Sequence, residues 1–281
     1  MHKTGNPGSG IPICRAVLIP ILLCTLSSIA AAQTSGNRGS AIPNLSGIWG
    51  KFDEFLAPPP SGPGPVMNMV TGGAYYRGDY RNPILQPWVA DILRKNVEDD
   101  IAGKLPSPAA TSSCLPGGVP GVFARRGSLD VVQTPALVLL LFNNDAQVRH
   151  VYMNQPHSKK LIPSWFGESV GHYEGDTMVV DTIGLSVKSV LDVFGTPHTD
   201  KLHVVERFHV VDDAKAFEGK ALRVDIKVED PGAFTMPFNE VAYFLKDKPE
   251  SRRGSFEEAP CAENNRSVGV APIPEAEKPD F

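Results

Sequence analysis

The chain has 281 residues, with 27 Lys and Arg against 31 Asp and Glu and a formal net charge of −4. Its cationic runs are no longer than pairs, such as Arg125-Arg126, Lys159-Lys160 and Arg252-Arg253, so there is no basic field of the kind nucleic acid requires. The length is within what one all-β domain can occupy and does not force a division into two.

The first segment reads as a secretory signal over residues 1–32. Lys3 and Arg15 give a positive start, Ala16 to Ala30 form an apolar run, and Ala30-Ala31-Ala32 offers small residues for cleavage before Gln33. The run is short for a transmembrane span, which needs about 20 apolar residues, and a lipoprotein signal at Cys24 is disfavoured by the bulky Leu22 and Leu23 before it. A periplasmic or secreted protein with no membrane span is expected. Loss of Lys3 and Arg15 lowers the 27 basic residues to 25 against 31 acidic, a net of about −6. Export also leaves Cys114 and Cys261 as an even pair in an oxidising compartment, which predicts one disulfide between them. In the chain-entropy picture so long a loop contributes about 4 to 5 kcal/mol.

A Ser/Gly/Asn-rich linker follows over residues 33–45, then a single domain over 46–265 and a Pro/Glu/Ala-rich tail, expected to be disordered, over 266–281. Gly47 to Phe52 is a short strand candidate. Ala57 to Pro65, APPPSGPGP, cannot be regular structure, because its prolines lack backbone donors and its glycines favour turns. Pro87 suits a first helical position, and Trp88, Val89, Ile92, Leu93, Val97 and Ile101 recur at helical spacing up to the stop at Gly103. This is the one predicted helix, packed on the sheet or across a barrel mouth.

Beyond Cys114 the pattern becomes nearly continuous strand. Leu129 to Gln133, Leu137 to Phe142, Val148 to Met153, Glu168 to Glu174, Met178 to Ile183, His203 to Val211, Leu222 to Val228 and Val241 to Leu245 are β-rich runs divided by turn signals. Short connections make antiparallel neighbours, and so many strands leave exposed edges unless the sheet closes. The fold class is therefore mainly β, an antiparallel up-and-down barrel with one N-terminal amphipathic helix; a two-sheet β-sandwich is the alternative.

Five blocks carry a resemblance: CLPGGVP at Cys114 to Pro120, GHYEGDTMVVDTIG at Gly171 to Gly184, PHTDKLHVVERF at Pro197 to Phe208, Asp230-Pro231, and CAENN at Cys261 to Asn265. Together they resemble a family of exported bacterial proteins, with a departure at His172-Tyr173, where that family commonly has Arg-Trp. The resemblance implies a secreted, lipocalin-like β domain and carries no reaction with it.

Polar chemistry is densest between Gly167 and Phe208, where His172, Asp181, Asp192, His198, Asp200, His203, Glu206 and Arg207 stand among strand formers. Titratable groups set in apolar sequence must be paired, desolvated or aimed at a ligand. Glu174 to Thr177 reads as a hairpin turn. His198, Asp200 and His203 fall at a strand entrance, where side chains can converge on a ligand. Alternation then puts His203, Val205, Arg207 and His209 on one face and Val204, Glu206, Phe208 and Val210 on the other, apolar face. An inward Glu206 either takes up proton transfer or pairs with an inward arginine such as Arg149 or Arg223.

The series His198-x-Asp200-x-x-His203-x-x-Glu206 offers ligands suited to zinc or another divalent ion, but His203 and Glu206 point to opposite faces and leave at most three local ligands, so no metal site is assigned and a bound divalent ion is the minor alternative. Gly167 to Gly171, GESVG, matches a bare nucleophile-elbow pattern, yet leads into a strand where the hydrolase turn needs a helix. No P-loop or GxGxxG follows a strand into a helix, so no nucleotide cofactor is expected.

Two functions fit. One is an exported, cofactor-independent lyase, isomerase or hydrolase working by general acid/base chemistry on a small, partly apolar molecule in a barrel cavity. Its catalytic candidates are His198, Asp200, His203, Glu206 and His172, with Arg207, Tyr173 and Trp165 as substrate-binding candidates. The other is a non-catalytic carrier of a small ligand in the same cavity.

Overall fold

A computed structural model describes residues 42–51, 56–70, 77–104, 116–143 and 147–248. The expected signal segment, the Cys114–Cys261 pair, the tail and most of the linker lie outside the described residues.

Nine strands close into one barrel in chain order: β1 (Gly47–Lys51), β2 (Gly127–Gln133), β3 (Leu137–Phe142), β4 (Gln147–Met153), β5 (Glu168–Glu174), β6 (Thr177–Ile183), β7 (His203–Asp212), β8 (Lys220–Glu229) and β9 (Phe238–Lys246). Each corresponds to one of the predicted runs, with ends differing by a few residues. Alternation sets the wall: Val204, Glu206 and Phe208 of β7 and Leu222, Val224, Ile226 and Val228 of β8 are buried inside, while His203 and Arg207 face out.

One pairing departs from the all-antiparallel meander. Chain direction must return to itself around a closed ring, so the number of antiparallel contacts is even, and nine strands require an odd number of parallel pairs. The parallel pair is β4 with β5, matched only over Val151↔Ser169, Tyr152↔Val170 and Met153↔Gly171. Residues 154–167, a crossover of about 14 residues, run back along the wall between them, as a parallel connection of a dozen or more requires. Gly167 ends the crossover at φ +61°, a left-handed turn that glycine adopts without strain.

The β1–β9 closure is also short, Trp49↔Lys246 and Gly50↔Leu245. Here the Pro-rich segment seals the edge of β9: Ala57 and Val241 exchange backbone hydrogen bonds of 2.9 and 2.8 Å, and the Asn239 N–H donates to the Pro63 carbonyl at 3.1 Å. The proline-rich sequence is irregular, as expected, and takes the place of a longer β1.

The helix α1 (Pro87–Ile101) buries Val89, Leu93 and Val97 and leaves Trp88, Ile92 and Ile101 exposed. It is tied to the β8–β9 connection by the Gln86 N–H on the Ala233 carbonyl, 2.9 Å, and by Trp88 Nε1–H on the Gly232 carbonyl, 2.8 Å. Among the described residues no helix is long and apolar enough to cross a membrane.

The barrel is filled from within. A short 3-10 turn, Gly121–Ala124, is buried throughout. It sets the Phe123 ring 5.5 Å from Phe142 of β3, 6.1 Å from Phe208 of β7 and 6.2 Å from Phe244 of β9. Lys51 donates its ammonium to the Phe123 carbonyl from the facing wall. A Cβ at Gly121 would run into the Val190 carbonyl, so only glycine lets this plug approach the segment after β6 so closely. The interior between β3, β7 and β9 is thus occupied by the chain itself, where the sequence had suggested a ligand cavity.

Candidate functional site

Glu206 is inside, as its face predicted, and its partner is Arg149 of β4. Nη1–H and Nη2–H of Arg149 donate to Oε1 and Oε2 at 2.6 and 2.5 Å. The rest of the guanidinium is satisfied by Ser169 Oγ at 3.0 Å and Thr182 Oγ1 at 2.8 Å, and those hydroxyls lie 3.1 Å apart. A bidentate, fully hydrogen-bonded pair of this kind is structural, and it spends the carboxylate that would otherwise transfer protons. Ser169 of the GESVG pattern is committed to this network within a strand, which removes the nucleophile-elbow reading. Arg223 faces outward and holds Asp225 at 2.7 Å.

The other sequence candidates are dispersed. His172 and Arg207 stand on the outer wall and share Glu174, at 3.0 and 2.7 Å, which holds that carboxylate below its ordinary range chiefly through the Arg207 hydrogen bond. Asp200 is exposed in the turn before β7. Tyr173 points inward, with its hydroxyl accepting from Gln133 Nε2 at 3.0 Å, and Trp165 is half-buried in the crossover. His198, Asp200, His203 and Glu206 do not converge, because His198 turns into the loop after β6, His203 lies outside the wall and Glu206 inside it.

His198 has its own partner. Its imidazole is 4% exposed and Ser189 is 2% exposed, and Nε2 lies 2.8 Å from Ser189 Oγ while Nδ1 lies 2.7 Å from the Thr199 carbonyl. Burial pulls the His198 pKa down, against the Thr199 carbonyl and the Asp230 charge. The neutral ring then donates Nδ1–H to Thr199 and accepts at Nε2 from the serine hydroxyl. That hydroxyl is also 2.8 Å from the Ser186 carbonyl, so one proton serves two acceptors. The pair has the geometry of a nucleophile and its base, but its burial keeps substrate from the oxygen. Its role is to fix the loop, together with Asp230, which accepts from the Thr199 N–H and hydroxyl at 2.6 and 2.7 Å.

A second buried acid lies on β9. Glu240 has no hydrogen-bond partner for Oε1 among the described residues, and its pKa is raised well above the ordinary value by burial and then by the Asp192 charge, against the opposing charge of Lys51. Asp192 itself accepts from the Phe194 and Thr196 N–H groups and the Thr196 hydroxyl, which oppose the upward pull of its burial. The space beside them, lined by Leu56, Val66, Met67 and Phe194, is only about 10 Å³. One water fills such a volume.

The arrangement the sequence did not assemble is on the outer wall. His157, in the crossover, places Nδ1 3.1 Å from Glu168 Oε1 and Nε2 2.8 Å from Asp181 Oδ1. The other Asp181 oxygen is 3.0 Å from His203 Nε2, and His203 Nδ1 is 3.4 Å from Glu229, which pairs with Lys227 at 2.5 Å. Carboxylates and imidazoles therefore alternate from Glu168 to Glu229, with Asp181 shared by two rings. Register explains the meeting: His203 is directly opposite Glu229, while Asp181 is opposite Val205, two residues along the same outer face.

Burial pushes the Asp181 carboxyl up, but hydrogen bonds from both imidazoles outweigh it and hold its pKa below the ordinary range. Glu168 is lowered mainly by hydrogen bonding to Ser158, whose backbone N–H lies 2.6 Å away, and further by His157. Among the described residues no cluster of His, Cys, Asp or Glu has the arrangement of a metal centre. Imidazoles hydrogen-bonded to carboxylates are groups able to donate and accept protons.

Glu168 also lines a groove of about 450 Å³ along the short β4–β5 seam. Its walls carry Val148, His150 and Tyr152 of β4 and Lys160, Ile162 and Phe166 of the crossover. The two narrow pairings of the barrel thus differ: the chain seals β1–β9 with its own Pro-rich segment and leaves β4–β5 open as a groove. Comparisons with protein-family models, curated proteins and solved structures found no match. Fold and site together define the class, a closed mixed β-barrel with an acid/base cluster on its outer wall.

Proposed function

We propose that this is an exported, cofactor-independent enzyme of the lyase, isomerase or hydrolase type, acting by general acid/base chemistry on a small, partly apolar molecule. The groove between β4 and the crossover receives that molecule, and the chain Glu168–His157–Asp181–His203–Glu229 supplies the proton donor and acceptor. One observation carries the reading: two imidazoles, each held between carboxylates, share Asp181, and the series ends at Glu168 on the wall of an open groove. A shared carboxylate fixes the orientation of both rings and lets a proton gained at one end be passed along the series. The lipocalin-like resemblance and the secretory signal agree with an extracytoplasmic small-molecule protein, with the site moved from the barrel interior to its wall.

The exposed apolar wall of the groove favours a second reading, a binding protein that holds such a molecule without changing it. Turnover separates the two. Screening candidate esters, lactones and β-hydroxy carbonyl compounds should find a substrate whose kcat falls about 10²- to 10⁴-fold in His157→Gln, His203→Gln or Asp181→Asn proteins with unchanged circular dichroism. Activity retained in all three variants sinks the acid/base assignment, and binding without turnover establishes the carrier.

A further inference from the structure

The groove's own residues point to the kind of molecule it takes. Three large apolar side chains stand exposed along it, Val148 at 44%, Tyr152 at 45% and Ile162 at 80%. Soluble proteins rarely gather such residues without a use for them. Phe166 adds a partly buried ring, and the His150 and Tyr152 rings lie 20° from parallel with centroids 6.5 Å apart, a flat aromatic surface on the β4 side. The volume suits a ligand of small-metabolite size.

Charge gives the ligand its polarity. Among the described residues that line the groove the one carboxylate is Glu168, which accepts from the Ser158 N–H and lies against His157. The Arg149 guanidinium at the floor is neutralised by Glu206. Lys160 is exposed, and its ammonium makes no ion pair or hydrogen bond among the described residues. Lys160 is therefore the one Lys, Arg, Asp or Glu lining the groove that has no partner among the described residues, and its charge is positive.

We infer that the ligand of this groove is a small amphipathic anion, an aromatic or branched aliphatic body carrying a carboxylate. The body lies against Val148, Tyr152, Ile162 and Phe166, and the carboxylate meets Lys160. This rests on the groove's being the site proposed above, and it adds the substrate class. It also orients the molecule: with its anion at Lys160, the bond to be protonated or deprotonated is presented toward Glu168 and His157.

Three probes of one shape test the charge requirement: phenylacetate, phenylacetamide and phenethylamine, titrated into the full chain and followed by amide NMR shifts and calorimetry. Phenylacetate is expected to shift the amides of Val148, Tyr152 and Ile162, to bind more tightly than the amide, and to leave the amine without saturable binding. Lys160→Glu should weaken phenylacetate about five- to tenfold, the scale of reversing a partly exposed charge contact. Equal binding of the amine, shifts confined to other surfaces, or a Lys160→Glu protein with unchanged affinity overturns the inference. Its failure is separable from that of the catalytic reading. No phenylacetate binding beside turnover that still requires His157 and His203 removes the ligand class alone. Binding beside turnover indifferent to those residues removes the acid/base reading alone.

Discussion

Arg149→Met is expected to lower the unfolding free energy by about 3 to 5 kcal/mol, because it strands the Glu206 carboxylate inside the barrel without its partner. The double variant Arg149→Met/Glu206→Leu should recover most of that loss and fall within about 1 kcal/mol of the parent, since the desolvation cost of both charges disappears with them. The hydroxyls of Ser169 and Thr182 are not orphaned by the double change, because they stand 3.1 Å apart and can bond each other. Urea denaturation of the parent, both single variants and the double variant measures the coupling directly. A loss below about 1 kcal/mol in Arg149→Met would place the pair in contact with water.

Phe123→Ala tests what fills the barrel. Removing a fully buried phenylalanine costs about 3 to 5 kcal/mol through lost transfer free energy and the cavity left behind. The ring is in contact range of aromatic residues from three strands, so the wall cannot collapse onto the vacancy from one side. A cost under about 1 kcal/mol, again by urea denaturation, would mean that the interior tolerates an empty centre, as a ligand-holding barrel would. Phe123→Leu, which keeps most of the volume, should cost much less.

Much of this was legible in the chain. The nine strand segments, the helix over Pro87 to Ile101 and the division of β7 into a His203 face and a Glu206 face follow from local periodicity, which one sequence carries in full. Arg149 as partner of Glu206 was among the readings for the same reason, as an inward arginine on a neighbouring strand. The parallel β4–β5 pair was not read, although parity around the ring demands one such pair once nine strands close. The length of 154–167, too long for a tight hairpin, allows a parallel return but does not demand it, since the longer 184–202 joins the antiparallel β6 and β7.

The site was less legible, because its members meet across register and not along the chain. Density of polar residues drew attention to Gly167 through Phe208, a stretch that contains Asp181 and His203. It gave no sign that His157, from Asn154-Gln155-Pro156-His157 in the crossover, would share Asp181, nor that Glu229 at the end of β8 would face His203. His198 and Asp192 lie in the same dense stretch, yet hold the loop in place. In sequence, a histidine that fixes a loop and a histidine set between carboxylates look alike; their partners tell them apart. The interior plug, Gly121 to Ala124, had no periodic signal at all, being only one short turn.

The sharing of Asp181 is the point on which the functional reading turns, and the Asp181 carboxyl carbon reports it by NMR titration. Its pKa is expected below the ordinary aspartate range, so the stability its network confers is present above that range and is lost as pH falls through the lowered value. In His157→Gln and in His203→Gln the midpoint should rise, and in the double variant it should rise further than in either, as each imidazole hydrogen bond is withdrawn. A midpoint already at the ordinary value and unmoved by all three variants would contradict the shared carboxylate, and with it the proposal that proton transfer takes place on the outer wall.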